Sequence, residues 1–271
     1  MAKVSVVTGG AGGIGIEVAR LLAKETDVLV ADIQEARIEV AKEELKDFSN
    51  IEYLQMDVTK LEDVQAMADK ALSMGELQNV VHCAAINEVF VDRRVSVREI
   101  VTANTTGALN MGKVFFPILP EGSSYINIAS MTSYYRPTDQ YVEDFEEILK
   151  GNFEPIIEKI GETDASTAYG LSKAFVRWYS MSNIDLIAER GARINTISPG
   201  VIWTPMPQAV EAMMPGVIVG FASMCPVEGR MGEPEEVAEL AYFLCHAKYI
   251  NGEDILIDGG MLHHIQVPQF Y

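Results

Sequence analysis

A chain of 271 residues, 48% hydrophobic and 22% charged, with 21 glycines and 11 prolines, has the composition of an ordinary globular protein and excludes disorder, collagen and coiled coil. Its 21 Lys and Arg against 39 Asp and Glu leave a formal net charge of −18. Such a surface repels phosphate backbones and anionic lipid, so neither nucleic acid nor a membrane is expected as a partner.

Cys83, Cys225 and Cys245 cannot all pair and make no Cys-x-x-Cys frame, which points to a reduced, cytoplasmic protein. No run approaches the roughly 18 apolar residues of a membrane helix. The apolar run of the first eight residues breaks into glycines too early for a signal peptide.

Short β-branched runs alternate with helical patterns along the chain. Lys3–Thr8 reads as a strand and 14–24 as a helix, with Ile14, Val18, Leu21 and Leu22 on one face. Asp27–Asp32 is the second strand. A charged helical stretch at 38–45 precedes the third strand, 51–56; Leu61–Met74 is a helix and 79–83 the fourth strand. A long helix is expected at 96–119, a fifth strand at 125–129, a helix at 167–190 and a sixth strand at 192–197. The last pair is a helix at 234–245, opened by Pro234, and a strand, Asp254–Ile257. This alternation predicts parallel strands, right-handed crossovers and helices on both faces of one sheet in a single α/β domain spanning 1–271.

Two segments break the rhythm. In 136–166, Tyr141, Phe145, Ile148 and Leu149, then Ile156, Ile157 and Ile160, predict two short amphipathic helices, since a structureless loop of that length is uncommon. In 200–231, prolines 205, 207, 215 and 226 and methionines 206, 213, 214, 224 and 231 show no clean period.

Between the first strand and first helix lies Thr8-Gly9-Gly10-Ala11-Gly12-Gly13-Ile14-Gly15. A glycine-rich turn there lets backbone approach a pyrophosphate, whose charge the N–H groups and dipole of the following helix hold. The second strand ends in Asp32, whose carboxylate suits the adenosine ribose hydroxyls and repels a 2′-phosphate. No Arg or Lys stands at 31, 33 or 34 or in the turn at 10–14, so NAD is the expected cofactor. Asp57, with Val58 beside it, suits either the adenine amino group or the start of the helix at Leu61. Tyr169 and Lys173 are four apart on a helix and share a face, which also occurs by chance. A phenol is a poor base at neutral pH unless a nearby ammonium favours its phenolate.

Taken in order, the glycine turn (Gly9, Gly13, Gly15), Asp32, Asp57, Asn104, Ser130, Tyr169-x-x-x-Lys173, Pro199-Gly200 and Asp258-Gly259-Gly260 resemble the short-chain dehydrogenase/reductase family over nearly the whole chain. The resemblance implies a Rossmann-type doubly wound sheet of seven parallel strands, a nicotinamide cofactor and an Asn-Ser-Tyr-Lys catalytic set. Carried over, Tyr169 exchanges a proton with the substrate oxygen and Ser130 hydrogen-bonds that oxygen. Lys173 binds the nicotinamide ribose and depresses the Tyr169 pKa; Asn104 holds a water leading to solvent. Ile14 belongs to the pyrophosphate turn, and Ile202 and Thr204 meet the nicotinamide. His82-Cys83-Ala84-Ala85 departs from the family's Asn-Asn-Ala-Gly, though Cys83 and Ala84 are small enough for ribose contact, and His82 reads as a packed strand residue.

The helical insertion after Ser130 and the ending Val267-Pro268-Gln269-Phe270-Tyr271 are similar to the bacterial 3α-hydroxysteroid dehydrogenase/carbonyl reductase subgroup, which implies a steroid or bile-acid hydroxyl as substrate. The Met-rich segment 200–231 suits a lid that moulds to a large apolar ligand, or ordinary packing. Because the insertion obstructs the long-helix faces through which relatives pair, a homodimer through 234–257 is expected, with the tail near the lid. A 3-oxoacyl thioester reductase, another alcohol dehydrogenase and a non-enzymatic nicotinamide sensor are the competing readings; no metal is called for.

Overall fold

The computed structural model describes residues 1–90, 93–161 and 163–266. Seven strands form one sheet: β1 (Lys3–Thr8), β2 (Asp27–Asp32), β3 (Ile51–Gln55), β4 (Glu76–His82), β5 (Ser124–Ile128), β6 (Arg193–Pro199) and β7 (Asp254–Ile257). Their order is β3-β2-β1-β4-β5-β6-β7 and every pairing is parallel. The order reverses between β1 and β4, and a crevice opens at the carboxyl ends of those strands.

The strand sequences explain why both faces are covered. Along β2, Val28 and Val30 join one apolar cluster with Val18, Leu22, Val237 and Leu244, while Leu29 and Ala31 join a second with Met67, Met111 and Phe115. Successive side chains point to opposite faces, so a strand apolar at every position needs helices on both sides. These are α1 (Gly13–Leu22), α2 (Glu35–Glu44), α3 (Leu61–Met74), α4 (Val97–Phe115) and, later in the chain, α7 (Ala165–Met181) and α11 (Pro234–His246).

Two expected helices are shorter than their apolar patterns. The fourth stops at Phe115 and tightens into a 3-10 turn, Phe116–Ile118, because Pro117 has no N–H for the ladder. Its start is sharp: Ser96 and Glu99 form a reciprocal capping box. The expected 167–190 helix is broken after Met181, where Asn183 Nδ2 donates to the Tyr179 carbonyl at 2.6 Å, and resumes as α8 (Ile184–Ala188). A side chain that satisfies a helix carbonyl competes with the backbone donor that would continue the helix.

The insertion forms α5 (Val142–Leu149) and α6 (Glu154–Ile160) after a 3-10 turn, Thr138–Tyr141. Phe145, Ile148, Ile156 and Ile157 pack against Val97, Ile100 and Val101 of α4 and Leu171, Ala174 and Phe175 of α7. Lys159 donates to both oxygens of the buried Asp144, at 2.8 and 2.6 Å, and ties α6 to α5. Segment 200–231, which lacks a legible period, contains α9 (Pro205–Met213) and α10 (Val217–Ala222). The last helix described, α12 (Met261–Gln266), lays Met261 and Leu262 against Met131. No helix among the described residues is long and apolar enough to cross a membrane.

Candidate active site

A cleft of about 680 Å³ runs along the carboxyl ends of β1, β4 and β5 and under α9 and α10. At its inner end Gly9 takes a φ of +62°, and a Cβ there would meet the Ala84 nitrogen at 2.7 Å. The turn after β1 therefore lies directly on the backbone after β4, as close as only glycine permits. A Cβ on Gly13 would overlap the Thr204 side chain at 2.4 Å, so the same turn receives the start of α9.

The first turn of α1 has neither a side-chain cap nor an acidic residue. Its leading N–H groups, with the positive end of the helix, face the cleft at Gly13, Ile14 and Gly15 and suit a pyrophosphate. Asp32 is buried at the cleft wall with Oδ1 accepting from the Gln34 N–H at 3.1 Å, which fixes the orientation of the carboxylate. Cys83 and Ala84 continue this wall, and burial pushes the Cys83 thiol up to about 12. Asp57 and Val58 also line it, but Asp57 Oδ1 is engaged by the N–H and hydroxyl of Thr59 at 2.9 and 2.7 Å, in the turn leading to α3. The residues present fit a dinucleotide. Among them is Arg37, which sequence neighbourhood with Asp32 does not reveal: on the first turn of α2, it lines the cleft with its guanidinium 3.5 Å from where a Gly12 Cβ would be.

At the reacting end, Ser130 follows β5 and caps a 3-10 turn, Met131–Tyr134. Thr132 serves it twice, donating to Ser130 Oγ from its N–H at 3.2 Å and its hydroxyl at 2.9 Å. The turn is pinned from outside: Arg177 donates to Ser133 Oγ at 3.0 Å, stacks over the Tyr134 ring at 3.7 Å and pairs with Asp254 at 3.1 Å. The Tyr134 hydroxyl donates to the same carboxylate.

Tyr169 and Lys173 project from α7 into the cleft. Burial pushes the phenol up to about 12, and a hydrogen bond from Ser130 opposes that rise. Lys173 is itself lowered to about 8, chiefly by burial. Its Nζ donates to the Ile128 carbonyl at 2.7 Å and lies 5.8 Å from the centre of the Tyr169 ring. In this arrangement the Lys173 ammonium is turned to β5, and burial is the largest influence on the phenol.

Asn104 supports the site from α4. Its Oδ1 accepts from the Ile86 N–H at 2.8 Å, and its Nδ2 donates to the Ile86 carbonyl and to Ser172 Oγ, both at 2.9 Å. Ser172 in turn donates to the Tyr169 carbonyl, so Asn104 fastens the 83–88 segment to the helix that carries the phenol. His82 is a strand residue, as its surroundings suggested: it shares a 2.6 Å hydrogen bond with Thr8 Oγ1, and burial lowers it to about 3. That bond ties β1 to β4.

Over the reacting end lie Met206, Val210, Val217, Ile218 and Phe221, with Ile202 and Thr204 below them. Of the five methionines in the segment only Met206 lines the cleft, while Met213 and Met224 are exposed. Among the described residues no cluster of His, Cys, Asp or Glu is arranged to hold a metal ion.

A strand-order switch, a glycine turn on an uncapped helix and a Ser/Tyr/Lys group lining one cleft define a dinucleotide-dependent oxidoreductase site. Residues 3–142 match the family described as short chain dehydrogenase, and 156–262 match that described as enoyl-(acyl carrier protein) reductase. The chain is 30% identical to the short-chain dehydrogenase/reductase bsc3 of Alternaria brassicicola, over 98% of each protein. It is 30% identical to carbonyl reductase family member 4 of Xenopus laevis, over 98% of this chain and all of that one. A short-chain type dehydrogenase/reductase from Mycobacterium ulcerans has the same fold, with a TM-score of 0.76 at 24% identity over 96% of this chain and 90% of that one. The chain belongs to the short-chain dehydrogenase/reductase family. It is an oxidoreductase acting between alcohols and carbonyls with a nicotinamide cofactor.

Proposed function

We propose that this protein interconverts a secondary hydroxyl and a ketone on a bulky apolar substrate of the 3-hydroxysteroid or bile-acid class, with NAD as cofactor. The observation that carries the reading is that Ser130, Tyr169 and Lys173 line one cleft under a roof of Met206, Val210, Ile218 and Phe221. When bound, the cofactor supplies the hydride acceptor or donor. Ser130 donates a hydrogen bond to the substrate oxygen; Tyr169 takes the hydroxyl proton in oxidation and returns it in reduction. Lys173, buried beside them, supplies the positive charge that makes a phenolate less costly in a site where burial alone would forbid it. Asn104 positions α7, and the apolar roof excludes water around the reacting oxygen.

Asp32 supports NAD because a buried carboxylate opposes a 2′-phosphate. Arg37 lies nearer the glycine turn and suits the pyrophosphate from the same wall. The domain reading remains a single unit with a helical insertion at 136–166 and a lid at 200–231. A homodimer through 234–257 is supported by exposed Phe243 and Tyr249 and by α5 and α6 covering the flanks of α4 and α7. The tail at 267–271, also assigned to the lid region, lies outside the described residues. The test is a panel of 3-hydroxysteroid epimers, short-chain secondary alcohols and 3-oxoacyl thioesters, each offered with the NAD and the NADP couple. Turnover of the steroids with NAD is expected. A preference for the short alcohols or for thioesters with NADPH would overturn the substrate assignment, and NADH binding without turnover of any member would favour a sensor.

A further inference from the structure

Ser130 Oγ has one proton to give and two lone pairs to fill. Both acceptor directions are taken by a single neighbour, since Thr132 donates from its N–H at 3.2 Å and from its hydroxyl at 2.9 Å. We propose that Thr132 is a positioning residue for the reaction: by filling both lone pairs of Ser130 it leaves the serine proton no direction except into the cleft, toward Tyr169 and the substrate oxygen. The inference rests on the roles given above to Ser130 and Tyr169. A free hydroxyl rotates among partners, and a serine whose proton points away presents a lone pair to the substrate oxygen and repels it. With Thr132 in place that rotamer is occupied by a donor already.

Thr132 cannot easily swing aside. Its carbonyl accepts from the Tyr135 N–H at 3.2 Å, and a Cβ on Gly170 would come within 3.0 Å of the same oxygen, so α7 rests directly on the turn. The turn is further held by the Ser133 N–H on the Ser130 carbonyl and by Arg177 on Ser133. Thr132 itself lines the cleft, and its hydroxyl reaches the substrate only through Ser130 in the role assigned here.

Thr132→Val keeps the shape and removes the O–H; Thr132→Ser keeps the O–H and removes the methyl. With the best-used secondary alcohol of the panel, Thr132→Val is expected to lower kcat about tenfold, the value of one lost hydrogen bond to a group gaining charge, with the KM for NAD unchanged. The ascending limb of the kcat/KM profile for alcohol oxidation should move to higher pH by about half a unit, because a serine that donates less well to the phenol leaves it harder to ionise. Thr132→Ser should restore both.

A second readout needs no substrate. Phenolate absorbance, taken as the difference between each protein and its Tyr169→Phe counterpart, should show the Tyr169 titration moved upward in Thr132→Val. A wild-type kcat and titration in Thr132→Val would overturn the proposal, as would equal losses in the Val and Ser variants, which would assign the effect to packing. Should Thr132→Val not fold, Thr132→Ala removes the same donor without adding an apolar contact and carries the same expectation. Ser130→Ala and Tyr169→Phe separate the two levels. If those variants stay active, the underlying roles fail; if they lose turnover while Thr132→Val does not, only the present inference fails.

Discussion

The floor of the cleft is made of strand ends and the turns that follow them, with Thr8, Asp32, His82 and Ser130 all at least nine-tenths buried; its roof is made of two short helices on which Val219 and Phe221 remain about half exposed, at 55% and 44%. The floor residues are over-determined: each sits on a strand paired on both sides or on a turn tied to one. The roof has few such ties. Its α9 and α10 are joined through Gly216, at a φ of +88°, and are tied to each other by Glu211. Chemistry demands that reacting groups stay within tenths of an ångström, whereas a substrate must enter and leave. Stability is distributed accordingly, with rigid groups below and a loosely attached cover above.

The sharpest way to break that division is at Tyr169. Tyr169→Phe is expected to reduce turnover by about a thousandfold, within the usual range for a lost general acid/base. NADH affinity, followed by fluorescence titration, should stay within about twofold, because hydrogen-bond loss at the far end of the cleft leaves the phosphate and ribose contacts intact. A variant that retained most of its turnover would show that the floor does not house the chemistry. The next largest effect concerns the cofactor. Asp32→Ala should raise kcat/KM with NADP relative to NAD by about ten- to a hundredfold, since a like-charge contact with the 2′-phosphate is removed. Arg37→Ala in that background separates two assignments: if Arg37 serves the pyrophosphate, both cofactors weaken together, and if it meets the 2′-phosphate, NADP weakens alone.

Legibility in the sequence follows the same division. The glycine turn and Asp32 could be read because a backbone that must touch another backbone admits few residue types, as the Gly9–Ala84 approach shows. β1 and β2 were readable because their central apolar runs, covered on both faces, leave no polar alternation to misread. Arg37 was not, since its approach to Gly12 depends on the pitch at which α2 leaves β2. The orientation of Lys173 was equally hidden: spacing along a helix places it on the Tyr169 face, yet a bond to the Ile128 carbonyl decides where its ammonium points. The roof helices were illegible because their apolar residues face both the cleft and the solvent, so no single face repeats at helical spacing.

His82 tests whether the floor's rigidity has a pH limit. The unfolded imidazole binds a proton near 6.5, while the buried one resists it down to about 3. A base whose folded pKa is depressed adds nothing to the pH dependence above 6.5 and costs stability progressively as pH falls from there toward 3. At pH 5 the penalty is about 2 kcal/mol, from some one and a half pH units at about 1.4 kcal/mol each. His82→Asn keeps a polar partner for Thr8 and has no proton to gain. The difference in stability between pH 7 and pH 5, from urea melts, should therefore shrink by about that amount in the variant. Equal slopes would mean that water reaches the imidazole, and the floor would be less sealed than its burial implies.

The smallest expected effect lies in the roof, at Glu211. One carboxylate oxygen accepts from the Gly216 N–H at 2.6 Å and the other from the N–H groups of Ile218 and Val219, at 2.8 and 3.3 Å. Glu211 on α9 thus caps α10, and those backbone donors hold its carboxyl below the ordinary glutamate value. Glu211→Gln retains one acceptor oxygen and turns the other position into a donor facing N–H groups, so the two helices should no longer move as one body. Because Glu211 does not line the cleft, the cost falls on closing over the substrate: KM for a bulky apolar alcohol of the proposed class should rise roughly two- to fivefold while kcat for a short secondary alcohol, which needs little cover, stays near the wild type. Equal losses with both substrates would place Glu211 in the support of the floor and erase the distinction between the two walls.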